Sequence, residues 1–249
     1  LTSEAVQALC PDRAGQLWLG TEAGLRWLDI RPSAFQRPLP AAATGAVWAL
    51  DATPAELWLG TEQAGVLRLD RSTGRVAERL RHQTNDTTSL ADNFVRALLA
   101  APDGGLWVGT QRHGLDYRAP GATGFRHFRH RPGQAGSLAD DFVRCLYRDP
   151  LDGALWVGTE GGLCRLADAR TGRFVSYRHQ PGATTSLPSN YVRCVRRDPA
   201  GRLWVATGGG GLCRLDDART GRFTTLPTPM IPTSGWLMIG VEMRPPIPP

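Results

Sequence analysis

The sequence predicts an all-β chain, a β-propeller of four-stranded antiparallel blades with five blades visible. Three observations carry this. A phrase of the form Leu-Trp-Leu/Val-Gly/Ala-Thr occurs at Leu17–Thr21, Leu57–Thr61, Leu106–Thr110, Leu155–Thr159 and Leu203–Thr207. Its tryptophans, Trp18, Trp58, Trp107, Trp156 and Trp204, stand 40, 49, 49 and 48 residues apart, and a fixed period of this size marks a repeat architecture. Between the copies lie short apolar segments divided by Gly, Asp and Pro turns, with no helical apolar period. Four strands per repeat of about 40–50 residues is the arithmetic of a propeller blade. A solenoid would use fewer strands per repeat, and isolated hairpins could not bury their tryptophans.

The last three copies show each element in order. A first strand begins at Phe94, Phe142 and Tyr191 with Val-Arg as its second and third residues. A turn rich in Asp and Gly leads to the Leu-Trp strand. That strand is apolar at consecutive positions, as expected for one covered on both faces. Gly109 and Gly158 let adjacent sheets approach, and the tryptophan fills the wedge between blades. After a glycine turn comes a third strand (Gly162–Leu166, Gly211–Leu215), then a Thr-Gly-Arg-Phe entry to the fourth (Thr171–Phe174, Thr220–Phe223). A polar stretch ending in Ser-Leu (Ser89-Leu90, Ser137-Leu138, Ser186-Leu187) returns the chain to the next blade. The expected division is a propeller over 1–226, with blades of about 1–40, 41–90, 91–138, 139–187 and 188–226, followed by a tail over 227–249. Seven prolines and all three methionines of the chain fall in that tail.

With 249 residues the chain suits one large all-β domain. All 29 basic residues are arginine and the net charge is +6. The arginines recur at repeat positions rather than forming a stripe, so the footprint of a nucleic-acid binder is missing. The five cysteines include two repeat-equivalent pairs, Cys145 with Cys194 and Cys164 with Cys213. They carry no metal-ligand spacing and read as small apolar strand residues, although equivalent positions in neighbouring blades leave a disulfide open. His82, His130 and His179 are also equivalent and read as structural; only His113 and His127 leave the pattern. No signal peptide is visible.

The chain resembles the two-component regulator propeller, whose repeat runs N-x-V-R-x-I-x-x-D-x-x-G-x-L-W-I-G-T-x-x-G-L-x-R. Asn190 to Arg193 with Leu203 to Arg214 match it closely, as do Asn93 to Arg96 with Leu106 to Leu115, and Asp141 to Arg144 with Leu155 to Arg165. Leu1 to Val6 look like the family's first-blade entry, and the resemblance covers about residues 1–226. It implies a seven-bladed parent propeller and the sensory input module of a histidine kinase, hybrid two-component sensor or diguanylate cyclase. It further implies a periplasmic or extracellular location and often a carbohydrate ligand. No kinase, cyclase, receiver or membrane-spanning sequence lies within these residues, so any phosphorelay output is expected elsewhere.

No catalytic constellation is present: there is no G-x-S-x-G, no HExxH and no phosphate loop. Neither a metal nor a cofactor is expected. The candidate ligand-binding residues come in two sets. After the first-strand valine the blades present Gln7, Trp48, Arg96, Arg144 and Arg193, and three arginines with a tryptophan around a channel mouth could grip an anionic or sugar ligand. The competing structural account pairs each arginine with an acidic turn residue. The turn after the third Leu-Trp strand departs most from the repeat, with Gln111, Arg112 and His113. The expected function is therefore a non-catalytic sensory propeller with a small-molecule partner. The alternatives are a protein-binding scaffold, self-association included, and less strongly a propeller lyase or dehydrogenase.

Overall fold

In the computed structural model, residues 5–11, 16–29, 45–101 and 103–226 are described. They form nineteen strands and contain no helix long and apolar enough to cross a membrane. Sheet 1 holds β1 (Val6–Pro11), β2 (Gln16–Thr21) and β3 (Gly24–Asp29). Sheet 2 holds β4 (Val47–Ala52), β5 (Glu56–Thr61), β6 (Val66–Asp70) and β7 (Val76–Leu80). Sheet 3 holds β8 (Val95–Ala100), β9 (Leu106–Thr110), β10 (Leu115–Arg118) and β11 (Arg126–Phe128). Sheet 4 holds β12 (Val143–Arg148), β13 (Leu155–Thr159), β14 (Leu163–Asp168) and β15 (Arg173–Tyr177). Sheet 5 holds β16 (Val192–Arg197), β17 (Leu203–Thr207), β18 (Gly211–Asp217) and β19 (Arg222–Thr225).

Each sheet is an antiparallel meander in chain order, the arrangement of a propeller blade. The fourth strand expected for the first blade falls on residues 30–44, outside the described residues, as does the whole tail over 227–249.

The first strands pack blade to blade, β1 on β4, β4 on β8, β8 on β12 and β12 on β16. Each contact is made by the valine that opens the strand. Val47, Val95, Val143 and Val192 are fully buried, each against the glycine of the preceding Leu-Trp strand. A Cβ on Gly109 would stand 2.5 Å from Val143 Cγ1, closer than carbon atoms approach, so this position admits only glycine at this spacing. Trp18, Trp58, Trp107 and Trp156 are 5, 5, 3 and 2% exposed, as the wedge position requires. At the two ends the cover thins: Val6 and Trp204 are half-buried, and Ala206 replaces the glycine in the last copy.

Conserving the repeat also conserves its loops. His82, His130 and His179 each place Nδ1 within 2.6–2.9 Å of the carbonyl of Leu90, Leu138 or Leu187. Their backbone N–H groups donate to Asn93, Asp141 and Asn190, so the Asn or Asp ahead of each Val-Arg closes the loop between blades. All five cysteines are free thiols. Asp29, Asp70 and Asp216 read as equivalent turn formers from sequence. The structure places the turn at Asp70, Asp168 and Asp217, whose carboxylates accept from backbone N–H groups two residues on. Asp216 instead accepts from Arg214 and Thr224, because its side chain lies on the other face of the strand.

Candidate functional site

The register of every first strand slips at one place. The slip falls between Val6 and Ala8, Val47 and Ala49, Val95 and Ala97, Val143 and Cys145, and Val192 and Cys194. The residue in the slip is Gln7, Trp48, Arg96, Arg144 or Arg193. A β-bulge leaves one residue out of the pairing and re-aims its side chain. The five positions taken from the sequence as lining one mouth of the channel are thus the bulged residues of the five blades.

Beside each bulge lies the residue that follows the Leu-Trp strand. The hairpin fixes this proximity, because the start of a first strand and the end of its second strand pair. Gln7 donates to Glu22 at 3.3 Å, the Arg96 Nε–H to Gln111 Oε1 at 3.0 Å, and the Arg144 Nε–H to Glu160 Oε1 at 3.0 Å. Arg144 also forms a close ion pair with Glu160 through Nη2. The two sets of candidate residues therefore meet at one rim: Gln111 belongs to the Arg96 site. In blade 5 the same place is Gly208, and Arg193 is exposed with no carboxylate partner among the described residues. In blade 2 the bulge carries Trp48 and the partner place carries Glu62.

Aromatic rings separate the guanidiniums. Arg96 lies 3.7 Å from the Trp48 ring centroid, 4.6 Å from Phe94 and 5.5 Å from Phe142. Arg144 lies 4.4 Å from Phe142 and 4.1 Å from Tyr191, and Arg193 lies 5.0 Å from Tyr191. The order Trp48, Arg96, Phe142, Arg144, Tyr191, Arg193 is a ladder of alternating ring and cation. Ring faces are electron-rich, so they partly offset charges that would otherwise repel. Burial, and then the charge of Arg144, lower the Arg96 guanidinium below its ordinary value. The pairing of each arginine with a carboxylate therefore holds for Arg144, whereas Arg96 has a neutral acceptor and Arg193 has none.

The remaining candidates lie further along the turn. His113 places Nδ1 3.3 Å from Asp92 Oδ2, and Arg112 is exposed. At the opposite end of the blades a groove of about 820 Å³ runs between sheets 4 and 5. Four of the five arginines lining it are paired with carboxylates: Arg197 with Asp149, Arg165 with Asp152 at 3.0 Å, Arg202 with Asp198 at 2.7 Å and Arg214 with Asp216 at 2.6 Å. Among the described residues no cluster of His, Cys, Asp or Glu could hold a metal ion.

Blades of this kind, carrying a bulged rim residue in each first strand, define a repeat β-propeller. Residues 1–23, 89–112 and 186–209 match the model of the two component regulator propeller, so three of the five blades carry this family's repeat signature. The three matched stretches cover the first two strands of blades 1, 3 and 5 and therefore include their rim positions. Among solved structures, the chain is similar to the extracellular domain of a B. thetaiotaomicron protein described as a hybrid two component system, BT3049. Identity is 25% and TM-score 0.71, over 90% of this chain and 30% of that one. An extracellular domain from the same organism, described as that of a one component system, BT4673, is 21% identical with TM-score 0.52, over 90% and 36%. PorZ, a surface component of the type-IX secretion system of Porphyromonas gingivalis, is 18% identical with TM-score 0.59, over 84% and 31%. The chain thus spans about a third of the length of these proteins. No curated protein matches it.

Proposed function

We propose that this chain is the input propeller of a bacterial two-component signalling protein and that its bulged rim binds a small anionic ligand, such as an acidic oligosaccharide. The match to the regulator propeller model and the similarity to the extracellular domain of a hybrid two component system support the input role, and with it a periplasmic or extracellular location. Such a module reads a ligand without transforming it, and the phosphorelay chemistry belongs to other domains. The observation that carries the ligand is the rim: Arg193 is exposed without a carboxylate, and Arg96 is hydrogen-bonded to the neutral Gln111 beside the face of Trp48. A planar fork next to an aromatic face suits an acidic sugar, whose carboxylate or sulfate takes the fork while its ring stacks.

Calorimetric titration of a panel of acidic oligosaccharides tests this. Changing Arg96 and Arg193 to Ala together should abolish binding and leave the melting temperature nearly unchanged. Unaltered binding would move the site along the rim to Arg112 and His113 or remove it altogether. The half-buried Val6 and Trp204 support a second reading, a propeller that packs its end blades on protein; a mass above one chain in light scattering would favour it.

A further inference from the structure

One cross-strand pair breaks the repeat at both of its positions. Asp116 on β10 faces His127 on β11, where blades 2, 4 and 5 have Leu67 with Arg79, Cys164 with Ser176, and Cys213 with Thr225. Asp116 is fully buried. One of its carboxylate oxygens accepts from the backbone N–H of Ala91 at 2.7 Å, and the other lies 2.6 Å from His127 Nδ1. The second ring nitrogen, Nε2, lies 2.9 Å from the carbonyl oxygen of Thr87. Thr87 and Ala91 both belong to the connection between blades 2 and 3, which the Phe125 N–H also holds through the carbonyl of Thr88 at 2.7 Å.

We propose that Asp116 and His127 form a proton-operated latch on this connection, closed while the pair holds two hydrogens and released when it loses one. The hydrogen count follows from the acceptors. A carbonyl oxygen only accepts, so Nε2 must donate to Thr87. The contact between Nδ1 and Oδ1 then needs a second hydrogen, on the ring or on the carboxyl. A neutral imidazole beside an ionised Asp116 has one hydrogen for two contacts, and one contact becomes lone pair against lone pair. Asp116 is buried and fixed by Ala91, whereas Thr87 is exposed, so the contact at Thr87 is the one that opens.

The electrostatics agree with this geometry. Burial raises the Asp116 carboxyl above the usual range, and the hydrogen bond to Asp116 raises His127 above the ordinary imidazole value. Arg129 is the other charge acting on the pair and opposes protonation, while being held itself by Asp141 at 3.1 Å. The folded pair binds its proton more tightly than the unfolded chain does. The latch is therefore fully present below the ordinary histidine value of about 6.5 and lost as pH rises through the higher folded value. The connection leads through Asp92, which holds His113, to Phe94 and Arg96, so release acts next to the rim. The latch stands whether or not the rim takes a ligand.

The experiment is a nitrogen-detected NMR titration of the histidines in the whole chain, with amide exchange measured at each pH. His127 should titrate above about 6.5. Protection of the Phe125 amide, which donates to the Thr88 carbonyl next to the opening contact, should fall through the same midpoint once corrected for intrinsic exchange, about tenfold for each unit by which the folded value exceeds the ordinary one. Asp116→Cys with His127→Ser copies the pair of blade 4, where Cys164 accepts from Ala139 at 3.2 Å, and should make that protection independent of pH. Asp116→Leu with His127→Arg copies blade 2 and serves if the first variant does not fold. Titration of His127 at or below the ordinary value would overturn the latch, as would wild-type protection as flat with pH as in the variants. The wild-type titration decides alone if neither variant folds.

Discussion

Gly158 of blade 4 lies against Val192 of blade 5 so closely that a Cβ on the glycine would stand 2.7 Å from the valine Cγ1. The Cys145 sulfur would meet the same Cβ from the glycine's own blade. Gly158→Ala should therefore destabilise the fold by about 1–3 kcal/mol, as overpacking of a close-packed core does. Ala206→Gly, at the equivalent place in the last copy, should cost only about 0.5–1 kcal/mol through backbone entropy. Chemical denaturation compares the two, and equal losses would show that no close approach operates at Gly158.

Trp107 is 3% exposed and stacks on Tyr117 with ring centroids 4.2 Å apart. Trp107→Ala should cost about 3–5 kcal/mol, the range of large core truncations. Trp204 is only half-buried, so less apolar surface is lost and Trp204→Ala should cost less, even though it gives up a hydrogen bond to Asp198 at 2.8 Å. A loss under about 1 kcal/mol for Trp107 in urea denaturation would contradict its burial.

Asp149 is buried beside Arg197, which also bonds the turn carbonyl of Gly201. Burial pushes the Asp149 carboxyl up, but the hydrogen bond and charge of Arg197 together with the Leu151 N–H outweigh it and hold the group below the usual carboxylate range. A depressed folded value gives stability that is present above the ordinary value of about 3.9 and lost as pH falls through the lower folded one. Asp149→Asn should flatten that acid limb in denaturation curves taken from pH 5 to pH 2. An unchanged limb would assign acid lability to other carboxylates.

Burial pushes the Cys213 thiol up to about 12. Thiolate is the reactive form, so Cys213 should resist a disulfide reagent at pH 8 in the folded chain and react promptly in urea. Peptide mapping after labelling reads this residue by residue. Rapid labelling of folded Cys213 would mean that blade 5 opens.

The fold was readable because it is repeated. A glycine, tryptophan and valine that recur at one spacing reveal an interface made four times, and one copy would have been an ordinary strand. The rim was half readable. Arg96, Arg144 and Arg193 stand out by position, and so do Gln111 and Glu160. Their meeting follows from a hairpin whose length sets 15 residues between Arg96 and Gln111 and 16 between Arg144 and Glu160. The bulge itself was hidden, because no residue type encodes it: Gln, Trp and Arg all occupy it. His127 was visible as an exception to the histidine pattern, but its partner lies 11 residues away on the neighbouring strand and shares no motif with it. The signal for Asp116 is a carboxylate in a slot that holds Leu67, Cys164 and Cys213 elsewhere. Acidic residues at Asp216 and Asp217 stand side by side, so counting alone could not choose the one that turns the chain.

The bulge has a consequence for how such a chain changes over time. Packing between blades is borne by the valine before the slip and the small residue after it, while the slipped residue answers to neither sheet face. Duplicating a blade thus adds one rung to the mouth without asking anything new of the core. Exchanging Trp for Arg at that rung alters the chemistry displayed and leaves the scaffold as it was. Interior and mouth are inherited together yet free to diverge separately, so one architecture can acquire a new recognition surface by single substitutions at five known addresses.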